Sequence, residues 1–551
     1  SRRDSRGGDM AGIALDSYFD KRTAFEFSLT AAGQKMDLKH LGDYHFDMNW
    51  DAVWDGASSV SDSGWTAEMQ IPLSQIRYAG REEHVWGLHI YRLISRKRES
   101  DSWQHIPREA PAMVYLFGEL HGIRDIRTSR QVELLPYLLG SYTNRSDREP
   151  PGETGGNAGL NAKVGISSDF TLDLSVNPDF GQVEADPSVL NLTAYEIFFQ
   201  EKRPFFMEGN EIFDFEMNGD IPYYSRRIGS TPAIPSNIGD LVITDVPGQT
   251  PILGAVKLTG KTPAGWSVGV VNGLTARAQA TATGTSSPGD GIEEDQELEA
   301  APLSNYHSSR IKREFREGNS SVGGVFSLVE RISMDSLTRH LLPSRSVSGG
   351  LDLLHHWHNR NYFLEAKTIA SRIQGSPEAI LQKQLAHIHR FQRPDASHLE
   401  VDSLREHLTG HGSLIRAGKK GGKWNFSLQG EYRSPGLNLN DMGFIRQSDF
   451  LAERAEVLFD QNTPGKWYRD YEAGLYQEAR WSFGGEHTGQ EMGLEAAITF
   501  PNLWSAAMIA ENALSALDTR ELRGGPALRH DGTMSGGMAV SSNTARDLYG
   551  S

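Results

Sequence analysis

The sequence predicts an all-β protein: a partial N-terminal β-sandwich, then an antiparallel transmembrane β-barrel with a short helical and loop plug insertion. Three observations predict it. Short strand-like runs broken by Asp/Ser/Gly turns fill residues 10–125. From about residue 130 the runs lengthen and alternate apolar with polar residues, as membrane strands of about 9–11 residues do. The connections then alternate between tight turns and long polar loops.

Composition bounds the reading. A chain of 551 residues exceeds one ordinary domain of roughly 100–200 residues. Lys+Arg is 55 and Asp+Glu is 71, a formal net charge of 55 − 71 = −16. That excludes a general nucleic-acid-binding surface, which needs a basic excess. Cysteine is 0, so disulfides, thiolate nucleophiles, zinc ribbons and iron–sulfur clusters are excluded. Such a chain is at ease in an oxidising compartment. No apolar run reaches roughly 18 residues, which excludes helical membrane spans. A mean hydropathy of −0.47 still suits a barrel, because half of each strand faces a polar lumen. The opening Ser1-Arg2-Arg3 and the closing Tyr549-Gly550-Ser551 are expected for a mature or truncated piece.

In the first block, strands are expected at 10–15, 23–30, 65–71 and 85–93, with one short helical turn after Ile71-Pro72. In the second block the pattern is clearest at 424–433. One face carries Trp424, Phe426, Leu428, Gly430 and Tyr432; the other carries Asn425, Ser427, Gln429, Glu431 and Arg433. Leu172, Leu174 and Val176 against Asp173, Ser175 and Asn177 repeat it, as does 492–500. Weaker candidates are 132–142, 158–166, 252–259, 266–274, 321–330, 349–356, 362–373, 453–459 and 471–483. Lys261-Thr262-Pro263-Ala264-Gly265 reads as a tight turn, and 278–305 as a long acidic loop. A soluble antiparallel sandwich also alternates, but its strands are shorter. Residues 178–230 interrupt the strands. There Asp186-Pro187-Ser188 would start a helix over 189–199 that Pro204 stops, and the insertion reads as a plug. The domains are then 1–125 and 126–551.

Two constellations bear on function. Trp50, Trp54 and Trp103, with Asp51 and Arg92, offer aromatic faces and polar groups of the kind that bind sugars. The alternative for Trp50 and Trp54 is sandwich core, as it is for Trp65 and Trp86. The second constellation is acidic. Glu184, Glu196, Glu201 and Glu208 could supply the paired carboxylates of glycoside hydrolysis, or, with Asp179 and Asp186, several oxygens for Ca²⁺. The structural reading makes Asp186 a helix cap. It places Asp179, Asp186, Lys202, Arg203, Arg226 and Arg227 in a charge network fixing the plug to the lumen. No zinc motif, Walker loop, dinucleotide fingerprint or nucleophile elbow occurs, and no cofactor or metal is expected beyond that calcium alternative.

One long stretch carries a resemblance. It runs Asn177-Pro178-Asp179-Phe180-Gly181-Gln182-Val183-Glu184-Ala185-Asp186-Pro187, then Leu190-Asn191-Leu192-Thr193-Ala194-Tyr195-Glu196. It continues Phe198-Phe199-Gln200-Glu201-Lys202-Arg203-Pro204-Phe205-Phe206-Met207-Glu208-Gly209. Tyr224-Ser225-Arg226-Arg227-Ile228-Gly229 and Gly254-Ala255-Val256-Lys257-Leu258-Thr259-Gly260-Lys261 follow in order. This resembles the bacterial domain-of-unknown-function family 5916, whose members look like outer-membrane barrels preceded by a carbohydrate-binding family 9-like domain. Leu15-Asp16-Ser17-Tyr18-Phe19-Asp20, Trp50-Asp51-Ala52-Val53-Trp54, Gly64-Trp65-Thr66-Ala67-Glu68-Met69-Gln70-Ile71-Pro72 and Trp86-Gly87-Leu88-His89-Ile90-Tyr91-Arg92 are similar to that preceding domain. The resemblance implies a sandwich beginning some tens of residues before Ser1, a barrel continuing past Ser551, and a periplasmic first domain. The expected function is capture or passage of a polysaccharide or oligosaccharide at the outer membrane, with membrane lipid as second partner. A membrane-associated glycoside hydrolase is the first alternative, and a structural or secretion-linked envelope protein the second.

Overall fold

The computed structural model describes residues 8–42, 45–48, 50–78, 80–97, 99–126, 132–144, 152–167, 169–178, 189–191, 195–284 and 295–543. The N-terminal sheet has seven antiparallel strands. The path runs His45–Asp47, Lys35–Gly42, Ala24–Thr30, Met10–Asp16, Glu83–Ile94, Glu99–Ser102, and Gly118–Arg124 pairs Glu83–Ile94 off that path. A separate hairpin, Asp55–Ser61 with Gly64–Gln70, lies over one face. Phe25, Phe27 and Leu29 alternate on that face and join Leu15, Trp54, Ile76, Tyr78 and Trp86 in the core. The other face is buried too, although it is polar. Glu26 there accepts hydrogen bonds from Tyr91 at 2.5 Å and Ser28 at 3.3 Å, and pairs with His40 Nε2 at 2.7 Å. Burial on both faces is affordable only because these groups satisfy one another. The short turn expected after Ile71-Pro72 is the 3₁₀ turn Leu73–Gln75.

The large sheet has sixteen strands, from Val132–Asn144 to Thr533–Ser541, each antiparallel to its neighbours in the path. Its two edge strands do not pair with each other among the described residues. In Trp424–Arg433 the apolar face points outward: Trp424 is 58% and Leu428 65% exposed, while Arg433 is fully buried inside. Leu174 and Val176 likewise point outward, with Asp173 and Ser175 buried. An outward apolar face with inward polar residues inverts the soluble rule and matches a wall facing lipid.

The sheet curls around the segment 195–229. Phe206, Phe213, Tyr223 and Ile228 of this plug pack on Ile252, Val271 and Val329 of the wall. Phe215 and Met217 pack on Val325, Ile369 and Leu414. Among the described residues the expected helix over 189–199 is not formed: positions 189–191 and 195–199 are non-helical, and Pro204 opens the short helix Pro204–Met207 instead of ending one. Side chains take carbonyls there instead, Asn191 that of Tyr195 at 2.6 Å and Tyr224 that of Phe199 at 2.8 Å, and further along the plug the wall supplies donors. Lys257 donates to the carbonyls of Phe205 and Glu208, Arg310 to that of Asp214 and Lys367 to that of Glu216. The expected loop 278–305 also differs. Ala278–Gly284 and Asp295–Ala301 join Asn237–Ile238 and Leu241–Asp245 in a four-stranded sheet, and a further wall strand, Leu303–Phe315, follows.

The two ends of the wall are unlike. Tight turns occupy one end, at 262–265, 316–319, 358–361 and 420–423; long connections such as 375–406 and 434–449 occupy the other. Gly265 must be glycine: its φ is +80°, and a Cβ would collide with the Glu314 carbonyl. An outward aromatic band rings the tight-turn end, with Trp424 4.8 Å from Phe459, Phe459 5.8 Å from Tyr471 and Trp357 5.8 Å from Tyr362. The sandwich sits against this end. Lys261 bridges Asp20 at 2.5 Å and Glu314 at 2.6 Å, and Arg360 donates to the Lys21 carbonyl at 2.8 Å.

Candidate functional site

A cleft of about 390 Å³ opens where the sandwich, the wall and the plug tip converge. The sandwich supplies Trp50, Asp51, Lys39 and the turn through Arg77 and Tyr78; the wall supplies Glu133, Lys163 and Thr171; the plug supplies Met207, Glu208 and Glu211. Local structure positions each. Lys39 lies on Lys35–Gly42 and Arg77 just follows the 3₁₀ turn. Gly209, left-handed at φ +70°, bends the plug so that Glu208 and Glu211 both reach the cleft.

The charges are paired across the three parts. Lys39 bonds Glu211, Lys163 reaches Glu208 at 2.6 Å, and Arg77 lies 3.6 Å from Glu208. Burial alone would raise the Glu208 carboxyl, but Lys163, Arg77 and Lys257 hold it below the usual range. Glu211 behaves the same way, with burial overcome first by Lys39 and then by Arg77. Trp50 is half-buried at the rim, its ring 5.0 Å from Phe25 and 5.5 Å from Phe27. The cleft therefore offers a half-buried tryptophan beside polar groups already ordered by ion pairs.

Of the expected sugar-contacting residues, the structure brings together Trp50 and Asp51 only. Trp54 is a correction: at 3% exposure it is core, edge-on to Phe27 at 5.5 Å, with no face for a sugar. Trp103 is exposed and Arg92 pairs with Asp101 at 2.7 Å, but neither lines the cleft. Trp86 is core and Trp65 is half-buried on the hairpin.

The acidic candidates disperse. Glu184, Asp179 and Asp186 lie outside the described residues. Glu196 takes Arg227 in a two-pronged pair at 2.8 Å and 2.8 Å. Glu201 takes Arg203 at 2.9 Å and 2.7 Å and also Ser225. Burial would raise Glu201, yet Arg203 and Ser225 hold it low, the opposite of a general acid. Arg203 and Arg227 thus form their ion pairs within the plug, and Arg227 also donates to the Gly443 carbonyl of the 434–449 connection at 2.9 Å, a tie of the kind expected of it. Arg226 donates to the Gln200 carbonyl at 2.8 Å, and Lys202 follows Glu201, whose carboxylate accepts its backbone N–H at 3.0 Å. Further ties come from wall cations that the sequence did not single out for this role: Lys163, Lys257, Arg310, Lys367 and Arg433. Arg433 meets Asp220 of the plug at 2.7 Å. The available signal was a lone cation on the inward phase of a strand. One group of metal-ligating type is present among the described residues, Asp518, Glu521 and His530, with ligand atoms within 4.8 Å of one another. It is largely exposed, and His530 already pairs with Glu521 at 3.1 Å.

A family model described as "Domain of unknown function (DUF5916)" matches residues 128–550. No curated protein matches. Among solved structures, OpdK of Pseudomonas aeruginosa is 8% identical, with 97% of this chain and 98% of that chain covered and a TM-score of 0.29. OccK8 (OprE) of the same organism is 7% identical, with 97% and 98% covered and a TM-score of 0.30. OccAB2 of Acinetobacter baumannii is 8% identical, with 98% and 99% covered and a TM-score of 0.27. At these values no substrate transfers from them to this chain.

Proposed function

The chain belongs to the DUF5916 family, which spans its whole barrel, and we propose that it is an outer-membrane barrel whose sandwich captures a glycan on the periplasmic side. The apolar outer wall and its aromatic band support the membrane placement. The sandwich at the tight-turn end supports the periplasmic side, since such barrels keep short turns there. One observation carries the capture reading: Trp50 and Asp51 line a cleft that the wall and the plug tip complete. An aromatic face takes the C–H face of a pyranose, and ordered polar groups take its hydroxyls. The ligand is then held beside Glu208 and Glu211, at the plug.

Isothermal titration of the detergent-solubilised full chain against a panel of neutral oligosaccharides tests this. Saturable binding to one of them, lost in Trp50→Ala and kept in Trp103→Ala, is expected. Binding that survives Trp50→Ala, or binding to none of the panel, rejects it.

A further inference from the structure

The long-loop end carries an anomaly that the glycan reading does not use. Residues 386–393 follow the helix Pro377–Leu385 as a tight run of turns. Within it Arg390 is 5% exposed, with φ at +51°. Its guanidinium forms no ion pair or hydrogen bond with any described residue, and its Nε is buried without a partner. Arg520, 8% exposed, reaches the same place from the loop 514–532. It donates to three carbonyls, of His387 at 2.6 Å, Ile388 at 3.0 Å and Ser448 at 2.7 Å, but to no carboxylate. Its Nε is also buried and unpartnered, as is His387 Nε2.

None of the acids in reach forms an ion pair with either arginine among the described residues. Glu486 and Asp395 take Arg393. Asp449 takes His398 at 2.9 Å, and Glu196 takes Arg227. Asp518 accepts the backbone N–H of Arg520 and of Glu521, and forms no ion pair with Arg390. Arg390 and Arg520 repel one another, and both feel Tyr195. Asp518 acts on Arg390 and Asp449 on Arg520 only at a distance, and neither forms an ion pair with its arginine among the described residues. Two buried guanidiniums side by side with no carboxylate in contact are costly unless an anion completes them. Guanidinium N–H groups favour planar or tetrahedral oxyanions.

We propose that Arg390 and Arg520, with His387 beside them, form an oxyanion-binding site at the long-loop mouth of the barrel, for a phosphate or carboxylate group. On the proposed orientation this mouth faces the cell exterior. The group then belongs either to a phosphorylated lipid of the outer leaflet or to a free anionic solute.

The test uses the full chain in uncharged detergent, titrated with inorganic phosphate by calorimetry and thermal shift. Saturable binding is expected, weakened about tenfold or more in Arg390→Gln, since a charge-assisted hydrogen bond is lost, and restored in part by Arg390→Lys. Arg390 donates no side-chain hydrogen bond to a described residue, so Arg390→Gln strands no acceptor; heat-modifiable gel migration checks that the variant folds. Arg520→Lys, which keeps a cation near the three carbonyls, is the second variant. Reconstitution into phosphatidylcholine vesicles with and without a diphosphorylated glycolipid separates the sources. A thermal shift that needs the glycolipid and Arg390 assigns a lipid headgroup. A shift from phosphate alone, with none from the glycolipid, assigns a free solute. The proposal is overturned if phosphate does not bind saturably, or binds Arg390→Gln as tightly as the native chain.

Discussion

Leu428→Arg is the substitution that most directly probes which side of the wall meets lipid. Leu428 is 65% exposed on the outward face of Trp424–Arg433. It lies four residues from Trp424 and four from Tyr432, the aromatic ends of the strand. At about 3.3 Å per residue that is about 13 Å each way along the strand. A tilt of about 40° reduces it to about 10 Å along the membrane normal, which puts Leu428 near the middle of an apolar band about 25 Å tall. Arginine at that depth costs about 2–4 kcal/mol, against about 0–1 kcal/mol near an interface. Ser427→Arg is the control: it faces inward and pairs in register with Glu456, so the new charge gains an opposite partner. The assay is refolding from urea into short-chain phosphatidylcholine vesicles, with stability taken from the midpoints and slopes. The order expected is Leu428→Arg well below native, with Trp424→Arg and Ser427→Arg close to it. If Leu428→Arg costs no more than Ser427→Arg, the outward face does not meet lipid and the membrane reading fails.

Three further outcomes are expected. Arg433→Met should destabilise the plug by about 3–5 kcal/mol, because it strands the buried Asp220 carboxylate; its paired distance is 2.7 Å. Hydrogen exchange should accelerate over 214–224 with the wall strands still protected, and unchanged exchange there would show that the pair contributes nothing. Glu208 and Glu211 have depressed carboxyl pKa values. Their contribution is therefore complete above the unfolded carboxyl value of about 4.3 and is lost as pH falls through the folded values. Limited proteolysis should find the sandwich–plug contact intact at pH 6 and loosening only in the acid range below about pH 4; loosening on raising the pH instead would contradict the pairing. Glu201→Gln removes a buried partner of Arg203 and Ser225 and should cost about 1.5–3 kcal/mol while oligosaccharide binding is unchanged. Loss of binding without loss of stability would return Glu201 to the candidate site.

Periodicity reads only side chains, and that decides which elements were legible. Trp424–Arg433 and Phe170–Val176 announce themselves because lipid selects apolar residues on one phase and the lumen polar ones on the other. Leu303–Phe315 does not, because its outward phase carries Asn305, His307 and Ser309; Asn305 bonds Asn272 of the next strand at 2.9 Å. Its place in the wall comes from backbone pairing along its whole length, Leu303 with Ile332 to Phe315 with Ser320, which no residue type records. The plug shows the same limit from the other side. A segment normally becomes a helix or strand because its own carbonyls need donors. Here Lys257, Arg310 and Lys367 bring donors from the wall, so the plug stays irregular and has no period to detect. The cleft follows the same logic. Trp50 and Asp51 were visible as residue types suited to sugars, whereas Lys39 and Glu211 stand 172 positions apart and become partners only when the sandwich docks. In the described part of the family stretch, Glu208 meets Lys163 of the wall and Arg77 of the sandwich at once. Changes at Glu208 should therefore disturb sandwich docking and the plug–wall contact together, where changes to Trp50 act on the sandwich, whose Phe25 and Phe27 it packs against.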